Sequence, residues 1–356
     1  MTRVHVVMPA GVDDASRPSG GNLYDRRLCD GLAARGLDVR EHLVPGAWPW
    51  PDPGARRALR EALASVPDGD AVVVDGLLAS TSPDALVPES RRLRVVVLVH
   101  MPLCDAFGVG DVRETRSRER DVLLAAHAVV VPSAHTRNRL LERYALEPAH
   151  VHVVAPGADP AEAAPCRGAR LLAVGAVTPV KGVDLLVDAL VLVSDLPWSC
   201  EVVGSLDVDP WYAGRVAGQI CDAGLMDRVR LVGALDRAAL AARYAGSDLL
   251  VSASRSETYG MALTEALARG IPVVATGVGG AREAVGVGAG GVPGIVVDAE
   301  DAAGLAAALR TWLGDADVRT RLRAAALERR AGLAGWETTT ERVAALIADR
   351  ATEVAA

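Results

Sequence analysis

Lysine is nearly absent from this chain of 356 residues: of its 38 basic side chains a single one, Lys181, carries an ammonium, and all the others are arginines. Cysteine is scarce as well. The five present, Cys29, Cys104, Cys166, Cys200 and Cys221, form no Cys-x-x-Cys pair and no metal-ligand spacing, which argues against a disulfide framework and a structural zinc site. A reducing cytoplasm is the setting that fits. No run reaches the roughly eighteen uninterrupted apolar residues of a membrane span, and the start MTRVHVVMPAG lacks the apolar core of a signal peptide. These absences point to a soluble, unexported protein and leave open only a peripheral membrane contact. Net charge is −7 with both signs interspersed, so there is no basic field for nucleic acid. The RETRSRERD stretch, Arg113 to Asp121, reads as a solvated helix face. The G-x-G-x-x-G pattern is missing after the first apolar run, which argues against a dehydrogenase. Phenylalanine occurs once, at Phe107, and reads as core or loop packing.

What is present is a repeating pattern. Half of the residues are hydrophobic, enough for about two domains with their own cores. Short apolar runs start at Val4, Ala71, Arg94 and Ala128, alternating with helix-period segments such as NLYDRRLCDGLAARG and SAHTRNRLLERY, the second opened by Ser133 as an N-cap. Continuous β-branched runs between helices imply parallel strands covered on both faces. The stretch APGADPAEAAPCRGA, Ala155 to Ala169, reads as an interdomain linker. A second series of runs follows, from Leu171, Cys200, Val229, Asp248, Ile271 and Gly294, and the chain ends in a helix-period tail. The fold class is therefore α/β, two doubly wound Rossmann-like domains facing a cleft: residues 1–160, residues 161–335, and a terminal helix over 336–356. In such folds ligands bind beyond the carboxyl ends of the strands.

Chemistry concentrates in a few places. Lys181 lies in GAVTPVKGVDLL, where a strand turns into a helix; alone it reads as a solvated lysine, but a compact ammonium also suits a tight phosphate site that would reject a planar fork. In ASRSETYGMALTEALARG, Glu257 follows a buried strand, Gly260 breaks the chain, and a helix begins near Met261 with Glu265 about one turn in. Glu265 can accept from vicinal hydroxyls or serve only as a dipole partner, and Glu257 can accept from hydroxyls of a second ring. Gly20 and Gly21 form another turn where backbone can approach a ligand without a Cβ. His100 ends RVVVLVH, the carboxyl end of a strand, and reads either as structural or as facing the cleft. Asp207-Val208-Asp209 looks like a metal-binding Asp-x-Asp but reads as surface. Trp48 and Trp50 offer rings for an acceptor or for packing.

Taken together, SGGNLYDRRL, VHMPL, VVAPGAD, LLAVGAVTPVKG, DRVRLVGAL and SRSETYGMALTEALARGIPVVAT resemble, in order and over nearly the whole chain, the retaining family 4 (GT4) of GT-B glycosyltransferases. The resemblance implies a hexosyltransferase that uses a UDP-, GDP- or similar nucleotide sugar, with no cofactor and no bound metal. By it, Lys181 would bind the donor diphosphate, Glu265 the ribose and Glu257 the transferred sugar. Tyr259, Gly260 and Met261 would offer backbone contacts, Gly20 and Gly21 would approach the diphosphate, His100 would contact the sugar, and the terminal helix would cross back to the first domain. His100, Lys181 and Glu257 are thus the candidate catalytic residues. Relatives often place an arginine where this chain has Ala176, so that by the resemblance much of the phosphate compensation would fall on Lys181, the helix N-termini and Arg255. The acceptor, a small molecule or a glycoconjugate, stays unnamed, as does the choice between monomer and homodimer. A nucleotide-sugar epimerase and a non-catalytic GT-B binding subunit are the alternatives.

Overall fold

The computed structural model describes residues 2–105 and 111–348, so Phe107 lies outside the described residues. The chain divides into two units. The first takes in the chain up to Asp13, Gly21–Gly157 and the chain from Trp336 onward; the second is Asp14–Gly20 with Ala158–Gly335.

The first unit holds a six-stranded sheet made of β1 (Arg3–Pro9), β2 (Asp38–Val44), β3 (Ala71–Asp75), β4 (Arg94–Leu98), β5 (Ala128–Val131) and β6 (Val151–Val153). Every pairing is parallel, in the order β2-β1-β3-β4-β5-β6. β1, β3, β4 and β5 are the four apolar runs of the sequence. β2 and β6 escaped it because they are the edges: β2 carries Asp38, Arg40, Glu41 and His42 and is largely open, and β6 has three residues. Edge strands keep polar side chains because one side of their ladder faces water. One face of the sheet puts Val7, Val72, Val74, Val95, Val97, Val129 and Val131 against Leu59, Leu63 and Leu123 of the covering helices. The helix Trp336–Ala348 belongs to this unit: Thr339 Oγ1 donates to Ala155 O at 2.8 Å, and Arg94 Nη1 donates to Ile347 O at 2.7 Å.

The charged stretch Arg113–Asp121 is not a uniformly solvated face. It falls in the helix Val112–Ala125, whose Glu119 is wholly buried and accepts from Leu103 N at 2.7 Å, from Ser80 Oγ at 3.1 Å and from the Tyr144 hydroxyl. Three donors compensate a carboxyl that would otherwise be costly to bury.

The second unit repeats the plan with β7 (Arg170–Val174), β8 (Ser199–Val203), β9 (Val229–Gly233), β10 (Leu249–Ser252), β11 (Val273–Thr276) and β12 (Gly294–Val297), all parallel, in the order β12-β11-β10-β7-β8-β9. Alternate residues point to opposite faces, and both faces are covered. Leu171, Ala173, Val202, Leu249 and Val251 pack on Leu186, Leu190, Leu309 and Trp312, while Leu172, Val203, Leu250 and Val273 pack on Leu263, Leu267 and Ile271. The proline-rich stretch read as a linker is strapped to this unit from Ala158 on. Ala158 N donates to Ala334 O at 2.9 Å, Ala164 N to Arg269 O at 3.0 Å and Arg167 N to Asp248 Oδ1 at 2.7 Å.

Candidate active site

In the second sheet the chain runs outward from β7 through β8 to β9, then returns to lay β10 on the other side of β7, with Leu249 and Leu250 paired to Leu171 and Leu172. The loops after β7 and β10 therefore leave neighbouring strands in opposite directions, the topological switch point where open α/β sheets bind ligands. Lys181 follows β7 and Glu257 follows β10. Lys181 Nζ donates to Glu257 Oε2 at 2.7 Å, and Ser254 Oγ donates to the same oxygen at 3.3 Å.

Each partner is held by its own turn. Lys181 closes a single 3-10 turn, Pro179–Lys181, and Gly182 then starts the helix Val183–Val191. Gly182 has φ +61°, and a Cβ there would stand 2.1 Å from Ala253 O, so only glycine lets this turn lie against the end of β10. The Lys181 side chain is about one-third exposed, stretched over Gly175, where a Cβ would stand 3.2 Å from Lys181 Cδ. On the other side, Gly280 N donates to Glu257 O at 2.9 Å. A side chain at Gly280 would meet Thr258 O at 2.3 Å. The GVGG turn thus buttresses the Glu257 loop from behind, a support the sequence reading passed over although its letters adjoin the motif.

Glu265 sits on the helix Met261–Leu267 beyond Gly260 and accepts from the Tyr244 hydroxyl at 2.8 Å. Burial raises its pKa, only partly offset by Tyr244 and by the nearby Arg269, whose guanidinium lies 4.8 Å from the centre of the Tyr244 ring. Tyr259 is half-buried against the core and its phenol is raised by that burial. Met261 is half-buried beside Gly260.

Arg255 lies between the Lys181 turn and the Glu257 loop. All three nitrogens of its guanidinium have acceptors, with Nη1 and Nη2 on the two oxygens of Asp184 at 2.7 and 3.1 Å, Nε on Glu300 Oε1 at 2.5 Å, and Nη1 also on Pro179 O at 2.9 Å. Two carboxylates and a carbonyl thus hold the Arg255 guanidinium in place between the two loops.

In the first unit a second cluster forms at the corresponding switch point, between β1 and β3. His100, two residues past β4, approaches Asp25 Oδ1 with Nε2 at 2.7 Å and Asp75 Oδ2 at 3.9 Å. Asp25 lies on the helix Gly20–Ala34; Asp75 ends β3 and accepts from Leu77 N at 2.6 Å; both are buried. Burial alone would lower the imidazole pKa, but the Asp25 carboxylate, with a smaller contribution from Asp75, pushes it up to about 9. Burial and the Asp25 charge hold the Asp75 carboxyl well above the usual range. Gly21 is small for His100: a Cβ there would stand 3.1 Å from His100 Cδ2. Gly20 is the exposed first residue of the same helix. Among the described residues these three are the group whose ligand atoms, all within 4.8 Å, lie close enough to share a cation. At 2.7 Å, however, His100 and Asp25 form a charge-assisted hydrogen bond; two ligands of one ion stand about 3 Å apart or more. Asp25 and Asp75 were missed in the sequence, although Asp75 ends AVVVD just as His100 ends its own run.

Trp48 packs partly on the first core and Trp50 is 59% exposed. Asp207 is exposed, and Asp209 caps the helix Pro210–Asp222 by accepting from Tyr212 N at 3.0 Å.

Two parallel six-stranded doubly wound units, with a lysine and a glutamate joined at the switch point of the second, define the GT-B architecture of glycosyltransferases. The structure is similar to a sucrose-phosphate synthase from Thermosynechococcus elongatus, with a TM-score of 0.80 at 20% identity over 97% of this chain and 98% of that one. It is also similar to Anabaena HepE in complex with UDP-glucose, with a TM-score of 0.75 at 17% identity over 97% and 99%. Residues 160–329 match the family of glycosyl transferases group 1, and residues 3–162 match glycosyltransferase family 4. The chain belongs to the family 4 glycosyltransferases. It is 35% identical over 281 residues to a D-inositol 3-phosphate glycosyltransferase of Kineococcus radiotolerans and 33% identical over 274 residues to one of Geodermatophilus obscurus. Each alignment spans 70% of this chain, and less than two-thirds of the relatives' own length, 64% and 59%. Among the described residues no helix is long and apolar enough to cross a membrane.

Proposed function

We propose that the protein transfers a hexose from a nucleoside-diphosphate sugar to an acceptor hydroxyl, with retention at the anomeric carbon, without a metal ion or cofactor, and in the cytoplasm. The observation that carries this reading is the Lys181 ammonium held 2.7 Å from Glu257 at the switch point. Without a ligand, Glu257 neutralises Lys181. A donor diphosphate would take over the ammonium, which then stabilises the charge that builds as the diphosphate leaves, and would free Glu257 to accept from sugar hydroxyls. Glu265, held by Tyr244, would accept from the ribose, beside backbone from Tyr259, Gly260 and Met261. A diphosphate oxygen leaving one face of the sugar can take the proton of an acceptor hydroxyl that enters on that same face, which is what retention requires. UDP-sugars are the first donors to try because HepE was solved with UDP-glucose, and an inositol phosphate is the first acceptor because the curated relatives are named for it. Five free cysteines support the reducing compartment.

The lone lysine makes the test direct. Protein labelled with ¹³C,¹⁵N-lysine carries one lysine side-chain signal, and it belongs to Lys181. Titration with UDP-glucose, UDP-N-acetylglucosamine and GDP-mannose should move that signal for at least one donor, and the same donor should support transfer in the presence of EDTA. Lys181→Ala should lose about a hundredfold or more in kcat/KM. Lys181→Arg should lose at least about tenfold, because a planar fork cannot follow the path over Gly175. Full activity in Lys181→Ala, or a signal indifferent to every donor, would sink the reading.

A further inference from the structure

A three-residue 3-10 turn has little stability of its own. The turn that carries Lys181 nevertheless sits in one place, and the reason lies in the neighbouring loop. Arg255 reaches two of its carbonyls at once: the backbone N of Arg255 donates to Val180 O at 2.8 Å, and Nη1 donates to Pro179 O at 2.9 Å. The same guanidinium grips both oxygens of Asp184, the second residue of the helix that follows the turn. Asp184 is fixed in its turn by the Tyr212 hydroxyl, which donates to Oδ1 at 2.6 Å and accepts from Asp184 N at 3.2 Å, while Gln219 Nε2 donates to Asp184 O at 3.1 Å. The side chains of Arg255 and Asp184 are mostly shielded, 22% and 23% exposed, so this bidentate pair is not a water-screened surface contact. Arg255 is also two residues from Glu257 along the chain. One residue therefore ties the Lys181 turn to the Glu257 loop.

We propose that Arg255 and Asp184 are positioning residues that set the Lys181 ammonium against Glu257 and, on the reading above, against the donor diphosphate. Neither touches the donor. The role follows from geometry that leaves no nitrogen of Arg255 without an acceptor, and from the sensitivity of a charged contact to misplacement, where about 1 Å can cost about a hundredfold in rate.

The test uses the full chain with the single-lysine label and UDP as the probe. Arg255→Gln and Asp184→Asn should each move or broaden the Lys181 signal before any ligand is added. Each should weaken UDP binding and lower kcat/KM about tenfold or more, and the double variant should be no worse than either single one, because both break the same clamp. Tyr212→Phe should shift the signal in the same direction by less, and it serves if a clamp variant fails to fold. A direct phosphate-binding role for Arg255 predicts the opposite pattern: Asp184→Asn would bind UDP as well as the parent or better, and the Lys181 signal without ligand would not move. That outcome overturns the proposal, as does an unchanged signal in both variants. If the parent's signal ignores UDP and every sugar nucleotide, the donor reading fails, while the clamp is still judged by the ligand-free signal and by its response to Glu257→Gln.

Discussion

His100 keeps its proton because of what it is buried with. The imidazole pKa is raised from an ordinary 6.5 to about 9, with the Asp25 carboxylate outweighing the burial that acts the other way. Protonated His100 therefore stabilises the folded state fully below about pH 6.5, and that contribution is lost as pH rises through about 9. Asp75 acts in the same sense. Its raised carboxyl keeps a proton in the folded chain that the unfolded chain has already released. The Asp75 contribution should be lost as pH rises from about 4 to about 8, and the His100 contribution from about 6.5 to about 9, each by about 1.4 kcal/mol per pH unit inside its own window. Thermal melts across this range should show the decline, and His100→Gln should flatten it; parallel slopes in parent and variant would remove His100 from the account. At this scale the sequence was legible where composition or motif marked a residue, as with Lys181 and the Glu257–Glu265 spacing. It was silent on Asp25 and Asp75. One aspartate on an amphipathic helix and one at a strand end are ordinary until strand order brings them to the same imidazole.

In the first sheet the strands were legible in proportion to their burial. Central strands are written as unbroken valine and leucine runs because both faces are covered, whereas β2 is charged and β6 too short to register. The arginine-rich helix was misread at one position, since polarity along the chain reports composition and not which single side chain turns inward. Glu119 is the clearest case. It joins the helix Val112–Ala125 to Ser80, to Tyr144 and to the backbone at Leu103, three residues beyond His100. Glu119→Leu would keep the bulk but leave an N–H and two hydroxyls without their acceptor, at a cost of about 3 kcal/mol. Urea unfolding followed by circular dichroism should show a lower midpoint at unchanged slope. Glu119→Gln, which still accepts through its amide oxygen, should lose less. Equal losses in the two variants would mean that packing, not hydrogen bonding, is what Glu119 supplies.

At the scale of the whole molecule, the second unit carries its own double-faced core and its own switch point, and the proposed donor groups, Lys181, Glu257 and Glu265, all belong to it. A ligand bound by those groups stabilises the fold that holds them by mass action, about 2.7 kcal/mol at a hundred times its Kd. For a unit of this size that corresponds to a rise of about 5 to 10 °C in the transition in which it unfolds. Net charge sharpens the expectation. A chain of net charge −7 repels a nucleoside diphosphate at long range, so the rise has to come from local groups, and removing one ammonium should remove most of it. Differential scanning calorimetry with UDP should show the rise in the parent and little of it in Lys181→Ala. Glu257→Gln, which frees the ammonium from its internal partner, should retain the rise or enlarge it, because binding no longer has to break the 2.7 Å pair. A rise of the same size in Lys181→Ala would place the diphosphate elsewhere and leave the lone lysine as a structural partner of Glu257.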